Sequence, residues 1–73
     1  MTNLYFLDSR GEQRLVKKNV ETETVMKVIS HYVNNLNPTY KIYYYRTWFD
    51  ETTGGTIYDI GSHSEFFLLV DEN

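Results

Sequence analysis

The sequence has no cysteine and only one proline among its 73 residues. The lack of cysteine excludes a disulfide framework and every zinc site built on thiolates, and it favours a reducing compartment. No apolar run approaches the length that a bilayer requires, and Met1 to Leu7 lacks the basic start of a signal peptide. We therefore expect a single cytoplasmic domain over residues 1–73, with no membrane contact.

Basic residues are absent from residue 47 onward. All seven lie between Arg10 and Arg46, whereas six acidic residues follow Thr47, and the net charge is −3. This distribution favours partners that present a basic surface to the C-terminal half, and it opposes the phosphate backbone of a nucleic acid there. Ordinary solubilising charge is the alternative interpretation.

One segment has clear helical periodicity. Apolar residues between Val25 and Leu36 recur at spacings of three and four, which predicts an amphipathic helix from about residue 23 to residue 35. Thr22 is the expected N-cap, and Pro38 prevents continuation beyond the C-terminus. Glu23, Lys27 and His31 should then line the solvent side.

The segment from Tyr40 to Phe49 is rich in tyrosine and has no helical period. It reads YKIYYYRTWF, a composition of aromatic and β-branched residues that predicts the longest strand of the protein. Two hairpins are predicted, one before the helix and one after it. The first pairs Leu4–Leu7 with Gln13–Lys18, whose basic residues suit the edge of a sheet.

The second hairpin joins the aromatic strand to Thr56–Ile60 through a turn that contains Gly54 and Gly55. A break at Gly61–Ser64 precedes the apolar run Phe66–Val70, which is typical of a strand buried on both faces. The predicted fold is α+β, with element order ββαβββ: one amphipathic helix packed on a mostly antiparallel sheet of four or five strands.

The helix can cover only one face of this sheet. Alternation along the strands suggests which residues meet Val25, Ile29, Tyr32 and Leu36 of the helix. That predicted helix-side set comprises Leu4, Phe6, Tyr40, Ile42, Tyr44, Trp48, Phe66, Leu68 and Val70. The opposite face should carry further aromatic and aliphatic side chains, with Leu7 beside them, and no second helix to cover them.

An uncovered apolar face of this size favours contact with another protein. The predicted partner-binding residues are Tyr5, Tyr43, Tyr45, Phe49, Phe67 and Leu69. The occupant could be a second copy, giving a homodimer, or a different protein. Two alternatives remain: the chain's own loops could cover the face, or single-stranded nucleic acid could stack on it. Nucleic acid is disfavoured because few basic residues accompany the aromatics.

Catalytic and metal chemistry find little support in the sequence. Asp59, Ser62, His63 and Ser64 include the residue types of a hydrolase, but neighbouring side chains of an extended segment point to opposite sides. A turn stabilised by hydroxyl groups is the simpler interpretation. His31 and His63 have no second ligand at helical spacing, so we expect no metal, no cofactor and no enzymatic activity; a small hydrolase that uses His63 is the alternative.

The block from Tyr58 to Phe67, YDIGSHSEFF, resembles small uncharacterised proteins encoded in phages and prophages of Gram-positive bacteria. The resemblance covers about ten residues and carries no functional residue with it. It implies a class of role, because small acidic phage products often bind and modulate or inhibit a host protein. The sequence therefore predicts a non-enzymatic protein-binding module that acts through an aromatic sheet face and an acidic C-terminal half.

Overall fold

The computed structural model describes residues 1–36, 42, 45–61 and 64–72. The predicted α+β class and the ββαβββ order are confirmed. The strands are β1 (Thr2–Leu7), β2 (Gln13–Lys17), β3 (Arg46–Asp50), β4 (Gly55–Asp59) and β5 (Phe66–Asp71), and a 3₁₀ turn at Thr22–Thr24 leads into helix α1 (Val25–Leu36). No helix in this part of the chain has both the length and the apolar character needed to span a bilayer.

The five strands form one antiparallel sheet in the order β2-β1-β5-β4-β3. Strands β3, β4 and β5 pair in sequence order as a meander, and β2 occupies the expected edge. β5 lies in the middle of the sheet and joins the two hairpins, although it comes last in the sequence. An uninterrupted apolar sequence suits that position, since Phe67, Leu68 and Leu69 of this central strand are all buried although they point to alternate faces.

Helix α1 follows the predicted periodicity, with Val25, Ile29 and Val33 buried on its sheet side. Two details of the prediction are wrong. Thr22 is not the N-cap, because the 3₁₀ turn begins after Glu21, whose carbonyl accepts hydrogen bonds from both Thr24 N–H and Thr24 Oγ. Leu36, expected in the core, is exposed at the end of the helix. Pro38 lies outside the described residues.

The aromatic strand is shorter than predicted. β3 begins at Arg46, and Ile42 and Tyr45 have no regular secondary structure. Tyr40, Lys41, Tyr43 and Tyr44 lie outside the described residues. The prediction of one strand over Tyr40–Phe49, the longest of the protein, is therefore wrong: β3 has five residues and β1 and β5 have six.

The main core lies between α1 and one face of the sheet. Two cross-strand pairs in the centre of the sheet, Leu4 with Leu69 and Phe6 with Phe67, form its floor. The ring of Phe67 lies 5.2 Å from that of Phe6 and 5.8 Å from that of Tyr32 on the helix, measured between centroids. Tilted and edge-on rings at these separations pack favourably.

Candidate functional site: the open face of the sheet

The assignment of β5 to the two sheet faces is wrong. Phe67 and Leu69, predicted as partner-binding residues, are buried beneath the helix; Phe67 has no exposed surface. Phe66, Leu68 and Val70 lie on the opposite face, because alternate side chains of a strand point to opposite sides. Phe67 and Leu69 therefore belong to the core and cannot form a contact surface in this fold.

The other predicted partner-binding residues are separated. Tyr5 lies half-buried on the face away from the helix, where it was expected. Tyr45 packs against the core, and its hydroxyl shares a 3.3 Å hydrogen bond with Ser30 Oγ of the helix. Phe49 is 65% exposed, but it lies on the helix side because it pairs through Thr56 with Leu69. Tyr43 lies outside the described residues.

The face away from the helix, which we call the open face, carries a continuous row of apolar side chains. In the order of the strands β2-β1-β5-β4-β3, the row consists of Leu15, Tyr5, Leu68, Ile57 and Trp48. Leu7 and Phe66 pair beside it towards one end of the strands, and Val70 lies towards the other. The open face thus presents a hydrophobic centre that crosses all five strands.

The centre of this row is buried from solvent although none of the described helices covers it. Leu68 and Ile57 are only 2% and 8% exposed. Two aromatic rings, those of Trp48 and Phe66, meet edge-on with centroids 6.1 Å apart. Because β3 and β5 lie on either side of β4, about 10 Å apart, the rings must lean over β4 to meet, and so they shelter Ile57. Trp48 itself remains 43% exposed and Leu15, at the other end of the row, 47%.

A carboxylate is fixed beside the apolar row. Tyr5 donates its hydroxyl hydrogen to Glu72 Oε1, and Asn3 Nδ2 donates to the same oxygen at 2.9 Å. Asn3 is buried, and its Oδ1 accepts a 3.3 Å hydrogen bond from Asn19 N–H. The hydrogen bonds from Tyr5 and then Asn3 hold the pKa of Glu72 below its usual value of 4.5, so its charge is present at neutral pH.

A second polar cluster closes the opposite end of the open face. Asp59 is buried; its Oδ1 accepts from Gly61 N–H at 3.0 Å and its Oδ2 accepts from Arg46 Nη2 at 2.9 Å. Arg46 is mostly exposed and its backbone pairs with that of Asp59 across β3 and β4. Hydrogen bonds of this kind offset the cost of burying a carboxylate, so Asp59 has a structural role.

Two lysines border a groove on the helix side of the sheet. Lys17, Lys27 and His31 border a shallow groove between β2 and α1, whose floor includes Val28 and Tyr32. Lys27 and His31 are exposed, as the helical pattern predicted. The charges beside the two surfaces therefore differ: Lys17 and Lys27 border the groove, whereas Glu72 borders the open face, where Asp59 is already paired with Arg46.

The residues of the hydrolase hypothesis are only partly described. Ser62 and His63 lie outside the described residues, and Ser64 is exposed. The carboxylate of Asp59 accepts hydrogen bonds from Gly61 and Arg46. Within the described ranges, no three His, Cys, Asp or Glu side chains come together in a group able to hold a metal ion.

Sequence reasoning missed Trp48 of β3 and Phe66, Leu68 and Val70 of β5 as residues of the open face. For β5 the reason is that it reads as five consecutive apolar residues, and alternation assigns a face only where polar and apolar residues alternate. A weak signal was present in β1, where polar Asn3 and amphipathic Tyr5 alternate with Leu4 and Phe6. Given the pairing of Leu4 with Leu69, this alternation determines which residues of β5 face the helix.

Comparison of the chain with protein-family models, curated proteins and solved structures found no match.

Proposed function

We propose that the chain is a non-enzymatic protein-binding module whose open face receives the partner. The observation that carries this proposal is the apolar row across all five strands. Its central side chains are buried from solvent, and Leu15 and Trp48 at its two ends are about half exposed. Binding sites between proteins commonly combine a dry apolar centre with a polar border. Burying about 300 Å² of such a surface contributes about 7 kcal/mol before the entropy of association is subtracted.

The charges bordering the open face favour a partner that carries basic side chains. Glu72 is held in place by Tyr5 and Asn3, so a Lys or Arg of the partner would meet a carboxylate that loses little conformational freedom on binding. A second copy stacked face to face would bring carboxylates of the same sign. Nucleic acid would bring phosphates, which the same carboxylates repel. A protein with an apolar contact area and a basic residue beside it fits best.

A photo-crosslinking experiment tests where the partner binds. A photoreactive amino acid replaces Leu15 on the open face in one variant and Met26, exposed on the helix, in a matched control. The cross-linked protein is identified, purified and titrated by calorimetry against the wild type, Leu15→Lys and Met26→Lys. We expect Leu15→Lys to weaken binding at least tenfold, because it places a charge within the apolar contact, and Met26→Lys to leave binding unchanged.

The charge of Glu72 is tested in the same titration. Glu72→Gln keeps an oxygen that can accept from Tyr5 and Asn3 but removes the charge, so we expect weaker binding whose dependence on salt is reduced. Cross-linking from position 26, or a loss of affinity in Met26→Lys alone, would move the site to the helix. Binding of a mixed single-stranded oligonucleotide that weakens steeply with salt and is lost in Leu15→Lys would replace the protein partner by nucleic acid.

That the partner is a protein of a bacterial host stays a prediction, which comes from the resemblance of Tyr58–Phe67 to phage proteins. The lack of enzymatic activity also stays a prediction. His63→Ala should leave partner binding unchanged, whereas a hydrolase that uses His63 would lose its activity.

A further inference from the structure

The two edge strands of the sheet differ in their protection against pairing with another strand. β2 carries Arg14 and Lys17, and a register shift beside Leu4 disturbs its pairing with β1. Basic side chains and irregular pairing are common means of protecting an edge. β3 at the other edge is regular along all five residues, pairs with β4 alone among the described strands, and exposes Trp48 and Phe49.

We infer that β3 pairs with β3 of a second copy, antiparallel and about a twofold axis at Trp48. The argument is the order of residues along the strand, Arg46-Thr47-Trp48-Phe49-Asp50. A twofold axis at the third residue of five places the first residue opposite the fifth and the second opposite the fourth. Every residue of β3 then has a cross-strand partner in the second copy.

These cross-strand partners are complementary. Arg46 lies opposite Asp50 of the second copy, and the reverse pair forms by symmetry, so two opposite-charge pairs flank the axis. The guanidinium has five N–H donors, so it can contact Asp50 while it holds Asp59. Trp48 lies opposite Trp48 on the open side, and Thr47 lies opposite Phe49 on the helix side, in pairings of the aromatic and β-branched types that stabilise sheets. A shift of the axis by one residue would lose both charge pairs, because symmetry makes them equivalent.

The resulting dimer is one continuous sheet of ten strands. Because the twofold axis is perpendicular to the sheet, both helices lie on the same side and both open faces lie on the other. The dimer therefore leaves the open faces accessible, and it does not rest on the proposed function. Pairing edge to edge also differs from stacking face to face, the arrangement that the sequence alone suggested.

Sedimentation and light scattering over a concentration series test the pairing. For the wild type we expect the mass to rise from 8.7 kDa towards twice that value between about 1 and 100 µM, since short edge-to-edge contacts are small interfaces. Asp50→Lys turns both charge pairs into repulsions and should weaken the dimer about tenfold or more. Asp50→Asn, which still accepts from Thr53 Oγ1, should weaken it less, and Leu15→Lys on the edge strand β2 should have no effect.

Trp48 provides a second readout because it is the only tryptophan. Pairing of β3 with its symmetry mate should reduce the exposure of Trp48, which is 43% in the single chain, so we expect its fluorescence emission to shift as the dimer forms and the shift to be lost on dilution or in Asp50→Lys. A mass that stays at that of the monomer over the whole series would overturn the inference. A dimer that tolerates Asp50→Lys but dissociates in Leu15→Lys would also overturn it, in favour of face-to-face stacking. If monomeric Asp50→Lys still binds the partner, partner binding does not require the dimer, so the two proposals can fail independently.

Discussion

Tyr5 donates its hydroxyl hydrogen to the carboxylate of Glu72, which follows it by 67 residues in the sequence. The bond joins β1 to the residue after β5, across the central strand pair of the sheet. It also raises the pKa of Tyr5 above its usual value of 10.0 and, with Asn3, lowers that of Glu72 below 4.5. These two shifts determine how its contribution to stability depends on pH.

The first prediction is a pH dependence of stability that disappears in Glu72→Gln. A carboxyl with a lowered pKa in the folded state stabilises the protein above its pKa in the unfolded chain, and the contribution is lost as pH falls through the folded value. The raised pKa of Tyr5 gives the opposite sign: its contribution is complete below about pH 10 and is lost as pH rises through the folded value. We therefore expect the difference in melting temperature between wild type and Glu72→Gln to be constant near neutral pH and to shrink below about pH 4.5.

Thermal unfolding of both proteins at a series of pH values checks this prediction. Glu51→Gln is the matched control, because it removes one carboxylate from the exposed turn between β3 and β4. Parallel pH curves for the wild type and Glu72→Gln would show that the hydrogen bonds to Glu72 do not contribute to stability.

The second prediction contrasts two phenylalanines on the helix side of the sheet. Phe67→Ala empties a fully buried site between Phe6 and Tyr32 and should lower the free energy of unfolding by about 3 to 5 kcal/mol. Phe49→Ala truncates a largely exposed ring and should change it by about 0.5 kcal/mol or less.

Urea unfolding of the two variants, at a concentration well below the range in which dimers are expected, checks the contrast without contribution from self-association. If Phe67→Ala is unfolded at the outset, Phe67→Leu keeps most of the volume and should cost about 1.5 kcal/mol or less. Equal losses for Phe67→Ala and Phe49→Ala would place Phe67 outside the core.

The third prediction concerns two adjacent glycines. Gly54 has a φ of +77° and open space around it, whereas a Cβ atom on Gly55 would lie 2.6 Å from the carbonyl oxygen of Leu69. Asparagine tolerates positive φ, so Gly54→Asn should cost less than about 1 kcal/mol. Gly55→Asn must push β4 away from β5, and overpacking of this kind costs about 1 to 3 kcal/mol.

Hydrogen exchange of the β4 and β5 amides distinguishes the two variants, since only Gly55→Asn should accelerate it. Accelerated exchange in Gly54→Asn alone would mean that the turn, and not the contact with Leu69, determines the pairing of these strands.

Local patterns in the sequence were sufficient to predict the fold class and the order of elements along the chain, but not the order of strands in the sheet. The helical repeat at Val25, Ile29 and Val33 predicts α1, and two turn compositions between apolar runs predict the hairpins. Tyr40–Phe49 was overextended because tyrosine suits both strands and packed loops: Tyr45 contributes to the core through a hydrogen bond to Ser30 without belonging to a strand. Composition alone cannot distinguish those two environments.

The candidate site was harder to predict because it depends on the phase of two strands, and both β3 and β5 were assigned to the wrong faces. A shift of one residue exchanges the two faces of β5, and its apolar run contains no polar residue to fix that phase. Phe67 and Leu69 were therefore exchanged with Phe66 and Leu68. The chain resolves the ambiguity through pairing with β1, in which Phe6 and Phe67 meet beneath Tyr32, a contact between residues far apart in sequence.

The central position of β5 constrains how the chain folds during synthesis. Each hairpin forms from neighbouring residues, but the two halves of the sheet join only through β5, whose partner β1 was translated some sixty residues earlier. Until residues 66–71 emerge from the ribosome, β1 has no second neighbouring strand. Leu4 and Phe6 then lack their cross-strand partners Leu69 and Phe67. Contacts between residues this distant form slowly, and unpaired strands promote aggregation. The sheet thus remains incomplete until β5 is made, and a nascent chain stopped before residue 66 would expose the unpaired edge of β1 to aggregation.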